Sequence, residues 1–339
     1  MNQNSILIDC HQDIAYSVRA NRRLFEENID NLMISYDSLI NSKINIIFST
    51  IFVSHRRKNA HYDEALAQIK LYESIFKKYK NFYHLKNSQA LKKINTKKIG
   101  LYFLMEGAEP INKINDLSTF YKKGVRTIGL TWNDENKYAF GISKDGPLKK
   151  DGIKLINKMN DLGISLDLSH LSEKSFNRAI KETKLIPIAT HSNCKKIRRH
   201  ERNLTNRQLK NISDLGGVIG IVLYNKFISS KKNVFISDIF PHFKNLLNIC
   251  EYPFFFNLAE VCMIPRKPGL ILLVPPPSKR GPTNDNVFPN PSSRIFLLSL
   301  KFFAFAKDFC PSGAMKLAHS ARRYKKFSSP IIYKMSKLP

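Results

Sequence analysis

The stretch DGIKLINKMNDLGISLDLSH, residues 151–170, contains a helix and a strand joined at a glycine. Apolar residues recur three to four positions apart up to Leu162, which is the spacing of one helix face. Gly163 stands where a helix end takes a left-handed conformation, and the apolar run after it leads to His170. A helix, a glycine, a buried strand and a polar strand end therefore form one unit of an α/β fold.

The same unit recurs through residues 1–230. DLSTFYKKG leads into VRTIGLTWN, and TNRQLKNISDLGG leads into VIGIVLYN. The strand candidates lie at residues 6–10, 45–51, 98–105, 125–131, 164–169, 186–190 and 218–224. Strands that alternate with helices form a parallel sheet covered by helices. The pattern predicts an α/β fold, either a (β/α)₈ TIM-type barrel that lacks a proper eighth strand or an open doubly wound sheet. No glycine-rich loop follows the first strand to indicate a dinucleotide-binding domain.

Side chains of the metal-ligand type follow four of the strand candidates. They are His11 and Asp13 after the first, Glu106 after the third, His170 after the fifth and His191 after the sixth. The carboxyl ends of the strands form the active-site face of a barrel. Zinc binds imidazole and carboxylate, and a carboxylate can bridge two ions with one oxygen on each. The sequence therefore predicts a metal site at this face.

A His-x-Asp sequence alone does not identify such a site. His11-Gln12-Asp13 ends a strand, where residues two apart share a face, but a solvated turn would also explain it. A second such sequence, residues 61–63, begins HYDEALAQIKLYESIFKKY, which reads as an ordinary helix. The prediction of a metal site depends on five ligand-type side chains that share one face.

Net charge and the length of the apolar runs indicate whether a nucleic acid or a membrane is an expected partner. The net charge of +28 raises the question of a nucleic acid or an anionic surface, but the lysines are dispersed and form no clustered basic motif. The longest late apolar run, IFLLSLKFFAFA from Ile295, is interrupted by Lys301 and is too short to span a bilayer. We therefore expect no nucleic acid and no membrane as a partner. Five cysteines without C-x-x-C spacing, and no signal peptide, favour a cytoplasmic setting.

The motifs resemble, in the same order, those of the membrane (renal) dipeptidase family of zinc metallopeptidases, from about Ile6 to Tyr224. IDCHQDI is similar to the opening His-x-Asp motif, LMEGAEPI to the Glu-Gly segment and GVRTIGLTWNDEN to the fourth-strand segment. DLSHLSEKSF is similar to the Asp-Leu-Ser-His motif, and PIATHSNCKKIRRHERNLT to the Ser/Thr-His-Ser segment that Arg-Asn follows.

The resemblance implies a binuclear zinc site that hydrolyses dipeptides. His11 and Asp13 would bind one Zn²⁺ ion, His170 and His191 would bind the other, and Glu106 would bridge the two. A hydroxide held between the ions would attack the peptide carbonyl. A dipeptide substrate is the expected partner, and a homodimer stays open.

Two residues are implied to contact the substrate. Arg202 matches the arginine that holds the substrate carboxylate, a task that suits a planar guanidinium because it binds a carboxylate through two parallel hydrogen bonds. Trp132 stands where mammalian members carry a histidine that contacts the substrate.

The resemblance ends at about Cys250. A Gly-Ser-Asp-Phe-Asp-Gly-like segment, whose aspartate transfers protons in the family, is expected near residues 252–265 and is absent. No catalytic proton-transfer residue is therefore identified. Twelve of the sixteen prolines fall from Pro253 onward, and residues 251–339 carry fourteen Lys or Arg but four acidic residues.

We therefore predict two parts, a metallo-dipeptidase-like barrel in residues 1–250 and an atypical basic, proline-rich tail in residues 251–339. The tail is interpreted as disordered or frame-shifted, with a linker to a small extra domain as the alternative. Two functions remain open. One is a zinc-dependent dipeptidase impaired by loss of the aspartate segment, and the other is a non-catalytic remnant or binding protein that keeps the barrel shell and the metal ligands.

Overall fold

The structure is a computed structural model. It describes residues 7–20, 24–26, 34–42, 44–54, 60–94 and 98–250, together with the backbone of three short strands beyond residue 250. The interpretation of the tail as disordered or frame-shifted concerns residues that lie, apart from those strands, outside the described part.

The described chain alternates strands with helices, as the repeated unit predicts. The strands are β1 Ile8–Gln12, β2 Ile46–Phe52, β3 Phe82–His84, β4 Ile99–Glu106, β5 Val125–Gly129, β6 Ser165–Asp167, β7 Ile188–Ala189, β8 Val218–Ile219, β9 Ile221–Val222, β10 Phe254–Phe256, β11 Gly269–Ile271 and β12 Leu273–Val274. The helices are α1 Ile14–Ala20, α2 Tyr36–Ile40, α3 His61–Lys78, α4 Ser88–Leu91, α5 Asp116–Lys122, α6 Lys150–Leu162, α7 Glu173–Glu182, α8 Asn206–Asp214, α9 Asn225–Ile228 and α10 Phe240–Ile249, with a 3₁₀ turn at Ile236–Ile239. α6 ends at Gly163, which adopts the predicted left-handed conformation with φ 74°.

The main sheet is parallel and follows the order of the chain. Its strands run β1-β2-β4-β5-β6-β7-β8, and β3 lies off this path, paired with the beginning of β4. A doubly wound sheet would reverse its strand order at a switch point, and this sheet does not. The sheet curls into a parallel half-barrel with helices outside it, so the predicted TIM-type α/β fold is confirmed.

A short strand from beyond residue 250 lies between the two ends of the curled sheet. β12 pairs in parallel with β9, with Leu273 opposite Ile221 and Val274 opposite Val222, and its backbone lies next to β1. This is where an eighth strand closes a barrel. The segment that occupies the position is two residues long and follows the expected range 252–265 in the chain.

The side chains of β4 alternate between two apolar clusters, because successive strand residues point to opposite faces. Phe103 and Met105 pack beneath the helices, whereas Tyr102 and Leu104 pack with side chains of β1 and β2 in a smaller inner cluster. Glu106 continues the inner row. The alternation that builds the barrel therefore also places a carboxylate inside it, at the carboxyl end of the strand.

Tyr72 ties α3 to the strand ends. Its ring is fully buried, its hydroxyl donates a hydrogen bond to the Thr50 carbonyl at 2.8 Å, and it accepts one from the Ala15 backbone N–H at 3.1 Å. One hydroxyl thus links α3, β2 and the first turn of α1, which follows β1.

No described helix combines the length and the apolar character that crossing a bilayer requires.

Tyr72→Phe should lower the free energy of unfolding by about 1–3 kcal/mol, because it leaves a buried carbonyl and a buried N–H without their partner. Urea denaturation of both proteins measures the difference. Tyr83→Phe is the matched control, since the Tyr83 hydroxyl is buried without a hydrogen-bond partner among the described residues. The control should be neutral or slightly stabilising, and equal losses in the two variants would contradict the role of Tyr72.

Candidate metal centre

The carboxylate of Glu106, the last residue of β4, is surrounded by imidazoles from three other strand ends. Its Oε1 atom lies close to three Nε2 atoms, 3.4 Å from that of His11, 3.0 Å from that of His170 and 3.2 Å from that of His191. All four side chains are buried. The structure therefore brings together four of the five predicted ligands around one oxygen atom.

Asp13 completes the predicted set. Its Oδ1 atom lies 3.6 Å from His11 Nε2, and it accepts a hydrogen bond from the Thr50 hydroxyl. The register between β1 and β2 shifts at this strand end, between Asp9 and Gln12.

The other His-x-Asp sequence begins α3, as predicted, with Asp63 in the first helical turn.

His170 is held in an unusual backbone conformation. Its φ of 67° makes it the one residue other than glycine with a positive φ in the described part of the chain. Such a backbone is uncommon and costly for a residue with a side chain, and strained residues of this kind cluster at functional sites. The ring lies between Asn133, whose Oδ1 is 2.9 Å from Nδ1, and His191, whose Nε2 is 2.8 Å from Nε2.

Burial and neighbouring charges shift the pKa values of these four groups in different directions. Burial opposes the charge of His11, but the Glu106 carboxylate and hydrogen bonds to Asp13 and Glu106 raise its pKa to about 10. Burial also opposes ionisation of Glu106, but the charge of His11 and the hydrogen bond from His11 hold the pKa of Glu106 well below its usual value.

The other two imidazoles are neutral. Burial and then the charge of Arg202 lower the pKa of His170 to about 4, and burial and then the charge of His11 hold the pKa of His191 well below its usual value. Neutral imidazole and ionised carboxylate are the forms that bind metal ions.

The nitrogen and oxygen atoms that meet here suit a metal ion as ligands. The Nε2 atoms of His170 and His191 face each other and can share one proton at most, while both also face the Glu106 carboxylate. The charge of His11 compensates Glu106 when no metal is bound, and a metal ion could replace the His11 proton and also use the buried lone pairs of the other two imidazoles. Histidine nitrogen with carboxylate oxygen is a ligand set that zinc accepts.

Three groups of side chains have ligand atoms within 4.8 Å of one another. They are His11, Asp13 and Glu106; Glu106, His170 and His191; and His11, Asp167 and His191. The first two groups share Glu106. The third was not predicted, and its members all contact the Thr190 hydroxyl: Asp167 Oδ2 at 2.6 Å, His191 Nδ1 at 2.9 Å and His11 Nδ1 at 3.3 Å.

Asp167 and Thr190 are therefore the site residues that the sequence analysis missed. Asp167 ends β6 and Thr190 directly follows β7. Both lie at the carboxyl end of a strand, as the predicted ligands do, and this position is the signal that could have found them.

The two predicted substrate contacts lie beside the centre. Arg202, between β7 and α8, is 2% exposed and donates through Nη1 to the Ser192 hydroxyl at 2.9 Å. Its Nε and Nη2 atoms are buried without a hydrogen-bond partner among the described residues. The ring of Trp132 packs against those of Phe52 and His170, with centroid separations of 5.4 and 6.1 Å.

The fold and the site together are those of a metal-binding α/β barrel. The sequence matches the family described as membrane dipeptidase (peptidase family M19) over residues 1–251, and the chain belongs to that family. This confirms the predicted resemblance to a dipeptidase family.

Similar proteins extend the comparison. A protein of Klebsiella pneumoniae, described as an uncharacterized protein in the pqqA 5′ region, is 35% identical over 146 residues, which are 40% of this chain and 54%, or about half, of that protein. An uncharacterized dipeptidase of Schizosaccharomyces pombe is 27% identical over 291 residues, covering 77% of this chain and 70% of the relative. The crystal structure of a metallopeptidase from Rhodobacter sphaeroides has the same fold, with a TM-score of 0.73 at 19% identity over 89% of this chain and 93% of that one.

Replacing the shared carboxylate should remove most of the bound metal. Glu106 belongs to two of the groups and His170 to one of these two, so Glu106→Ala should lower zinc binding more than His170→Ala. Each substitution should weaken zinc affinity by at least about 10-fold, because even mutating a residue that only hydrogen-bonds to a metal ligand costs that much. Elemental analysis after dialysis against a limiting zinc concentration measures the effect.

His61→Ala is the matched control, since it removes the histidine of the other His-x-Asp sequence, on α3. Its metal content should equal that of the unmodified protein. Unchanged metal content in both site variants would contradict the assignment of the centre.

Proposed function

We propose that this chain is a zinc-dependent dipeptidase with a two-ion centre whose catalysis is impaired. The observation that carries the proposal is the approach of three imidazole Nε2 atoms to one buried carboxylate oxygen, at 3.0–3.4 Å. Membership of the membrane dipeptidase family supports the choice of reaction.

The proposed ligands divide into two pairs around Glu106. His11 and Asp13 would hold one Zn²⁺ ion, His170 and His191 would hold the other, and Glu106 would be shared by both. Zinc in such a site polarises a substrate carbonyl and lowers the pKa of bound water. The protein contributes burial, which strengthens the electrostatic interactions of these groups, and the already neutral imidazoles of His170 and His191.

Arg202 is proposed to bind the terminal carboxylate of the dipeptide. Nε and Nη2 form one edge of the guanidinium and are both unpaired, whereas Ser192 occupies Nη1. That edge matches a carboxylate with two parallel hydrogen bonds, which would satisfy two buried donors at once. The Rhodobacter sphaeroides structure is described as liganded with a phosphinate mimic of the dipeptide L-Ala-D-Ala, which supports a substrate of this size. Trp132, packed on His170, would border the substrate.

The proposed impairment follows from the sequence after residue 250. Residues 252–265 read YPFFFNLAEVCMIP, without the Gly-Ser-Asp-Phe-Asp-Gly-like segment of the family. The departing amine must gain a proton, and general acid–base help in such a step is worth about 10²–10⁴-fold. The same absence favours the second candidate, a non-catalytic binding protein that keeps the metal ligands and Arg202.

The full chain, loaded with zinc, should hydrolyse simple dipeptides with kcat about 10²–10⁴-fold below the median enzyme value of about 10 s⁻¹. Turnover is measured by the release of free amino acids, and dipeptide binding by calorimetry. Turnover near 10 s⁻¹ would refute the impairment. Binding without any turnover would instead establish the binding protein.

The role of Arg202 is tested in the same assay by comparing a dipeptide with its C-terminal amide. Arg202→Met should abolish the preference for the free carboxylate, because the two unpaired donors are gone. Arg198→Met is the matched control from the same loop, since Arg198 donates to the backbone carbonyls of Lys226 and Arg199. An Arg202→Met protein that still prefers the free carboxylate would contradict the assignment.

A further inference from the structure

We propose that Thr190 is a positioning residue whose single hydroxyl accepts hydrogen bonds from the Nδ1–H groups of His11 and His191, so that both rings direct Nε2 to the metal centre. The inference rests on the proposed metal centre but is independent of whether the chain turns over dipeptides. It concerns a residue that is itself no metal ligand.

The Thr190 hydroxyl donates its hydrogen to Asp167. Asp167 Oδ1 already accepts backbone N–H bonds from Ser169 at 3.0 Å and Thr190 at 3.1 Å, and Oδ2 lies 2.6 Å from Thr190 Oγ1. The hydroxyl is the donor in this short contact and the carboxylate oxygen is the acceptor. The hydroxyl then has two lone pairs left and no hydrogen to offer.

Two imidazoles face those lone pairs. His191 Nδ1 lies 2.9 Å and His11 Nδ1 lies 3.3 Å from Thr190 Oγ1. Because the oxygen can only accept from them, each Nδ1 must carry its proton. In neutral His191 a proton on Nδ1 leaves Nε2 with a free lone pair. His11 is protonated without metal, so the proton that it would lose to a metal ion is the one on Nε2. One atom can serve both rings because they lie side by side, with centroids 3.8 Å apart.

The opposite edges of the same rings face Glu106. His11 Nε2 and His191 Nε2 lie 3.4 and 3.2 Å from Glu106 Oε1. Each ring is therefore oriented by an oxygen at one edge and by the ligand carboxylate at the other. Thr190 serves one histidine from each of the two proposed ligand pairs, so it couples the two halves of the centre.

The Nδ1 atom of the third imidazole, that of His170, also faces an oxygen acceptor, which a different residue provides. His170 Nδ1 lies 2.9 Å from Asn133 Oδ1, and its Nε2 lies 3.0 Å from Glu106 Oε1. The chain thus provides an oxygen acceptor behind every histidine of the centre. Partners of this kind fix ring orientation and raise ligand basicity, and their removal typically costs 10–100-fold in metal affinity.

Loss of the hydroxyl should reverse the tautomer of His191. In Thr190→Val the Nδ1–H bond has no acceptor, while Glu106 still accepts a hydrogen bond from Nε2–H. A proton on Nε2 then blocks the atom that has to bind the metal. We expect zinc affinity to fall by about 10- to 100-fold.

The experiment uses the full chain with ¹⁵N-labelled histidine. Two-dimensional NMR that correlates ring nitrogens with ring carbon-bound protons shows which nitrogen carries the proton, and His11→Asn and His191→Asn assign the signals. Zinc affinity is measured separately by competition with a chelator. The variants are Thr190→Val, which keeps the shape of the side chain, and Thr190→Ser, which keeps the hydroxyl.

Thr127→Val is the matched control, because Thr127 is also fully buried and its hydroxyl lies 3.2 Å from that of Tyr102, away from the proposed ligands. The proposal expects Nδ1–H on both rings in the unmodified protein and in Thr190→Ser. It expects Nε2–H on His191 and weakened zinc binding in Thr190→Val alone.

Nε2–H on His191 in the unmodified protein would overturn the proposal, and so would unchanged NMR signals and zinc affinity in Thr190→Val. If the valine variant does not fold, the spectra of the unmodified protein and Thr190→Ser decide the question. Absence of dipeptide hydrolysis would refute the proposed function and leave this result standing.

Discussion

The structure depends on one buried carboxylate that three imidazoles approach. Glu106 Oε1 has the Nε2 atoms of His11, His170 and His191 within 3.4 Å, all shielded from water. Such a cluster is costly to bury unless a cation, either protonated His11 or a metal ion, compensates the carboxylate and every ring is held in place. The rest of the site meets these demands. Strand ends bring the four groups together, and oxygen atoms behind the rings fix their orientation.

The sequence predicted the parts of this arrangement that depend on local pattern. Strands separated by helices gave the parallel sheet, and the position of a residue at a strand end gave its place on the active-site face. Pattern also separated the two His-x-Asp sequences, because residues 61–63 continue into helical periodicity and do begin α3. These inferences need only neighbouring residues, so they do not require the folded structure.

Contacts between distant residues could not be predicted in this way. Thr190 contacts His11 across 179 positions and Asp167 across 23, and nothing in the local sequence of either partner indicates the pairing. The left-handed backbone of His170 also has no sequence signature, since such a conformation is ordinarily given to glycine. The order of ligands along the chain can therefore be read from the sequence, whereas the network that holds them follows from closure of the sheet.

The most direct test of the metal centre is anomalous diffraction at the zinc absorption edge from crystals of the full chain grown with zinc. We expect two anomalous peaks, one about 2.0–2.1 Å from His11 Nε2 and the other at that distance from the Nε2 atoms of His170 and His191, with a Glu106 oxygen next to each. A single peak would contradict the bridging role of Glu106. Zinc bound elsewhere, with these side chains free of metal, would contradict the account as a whole.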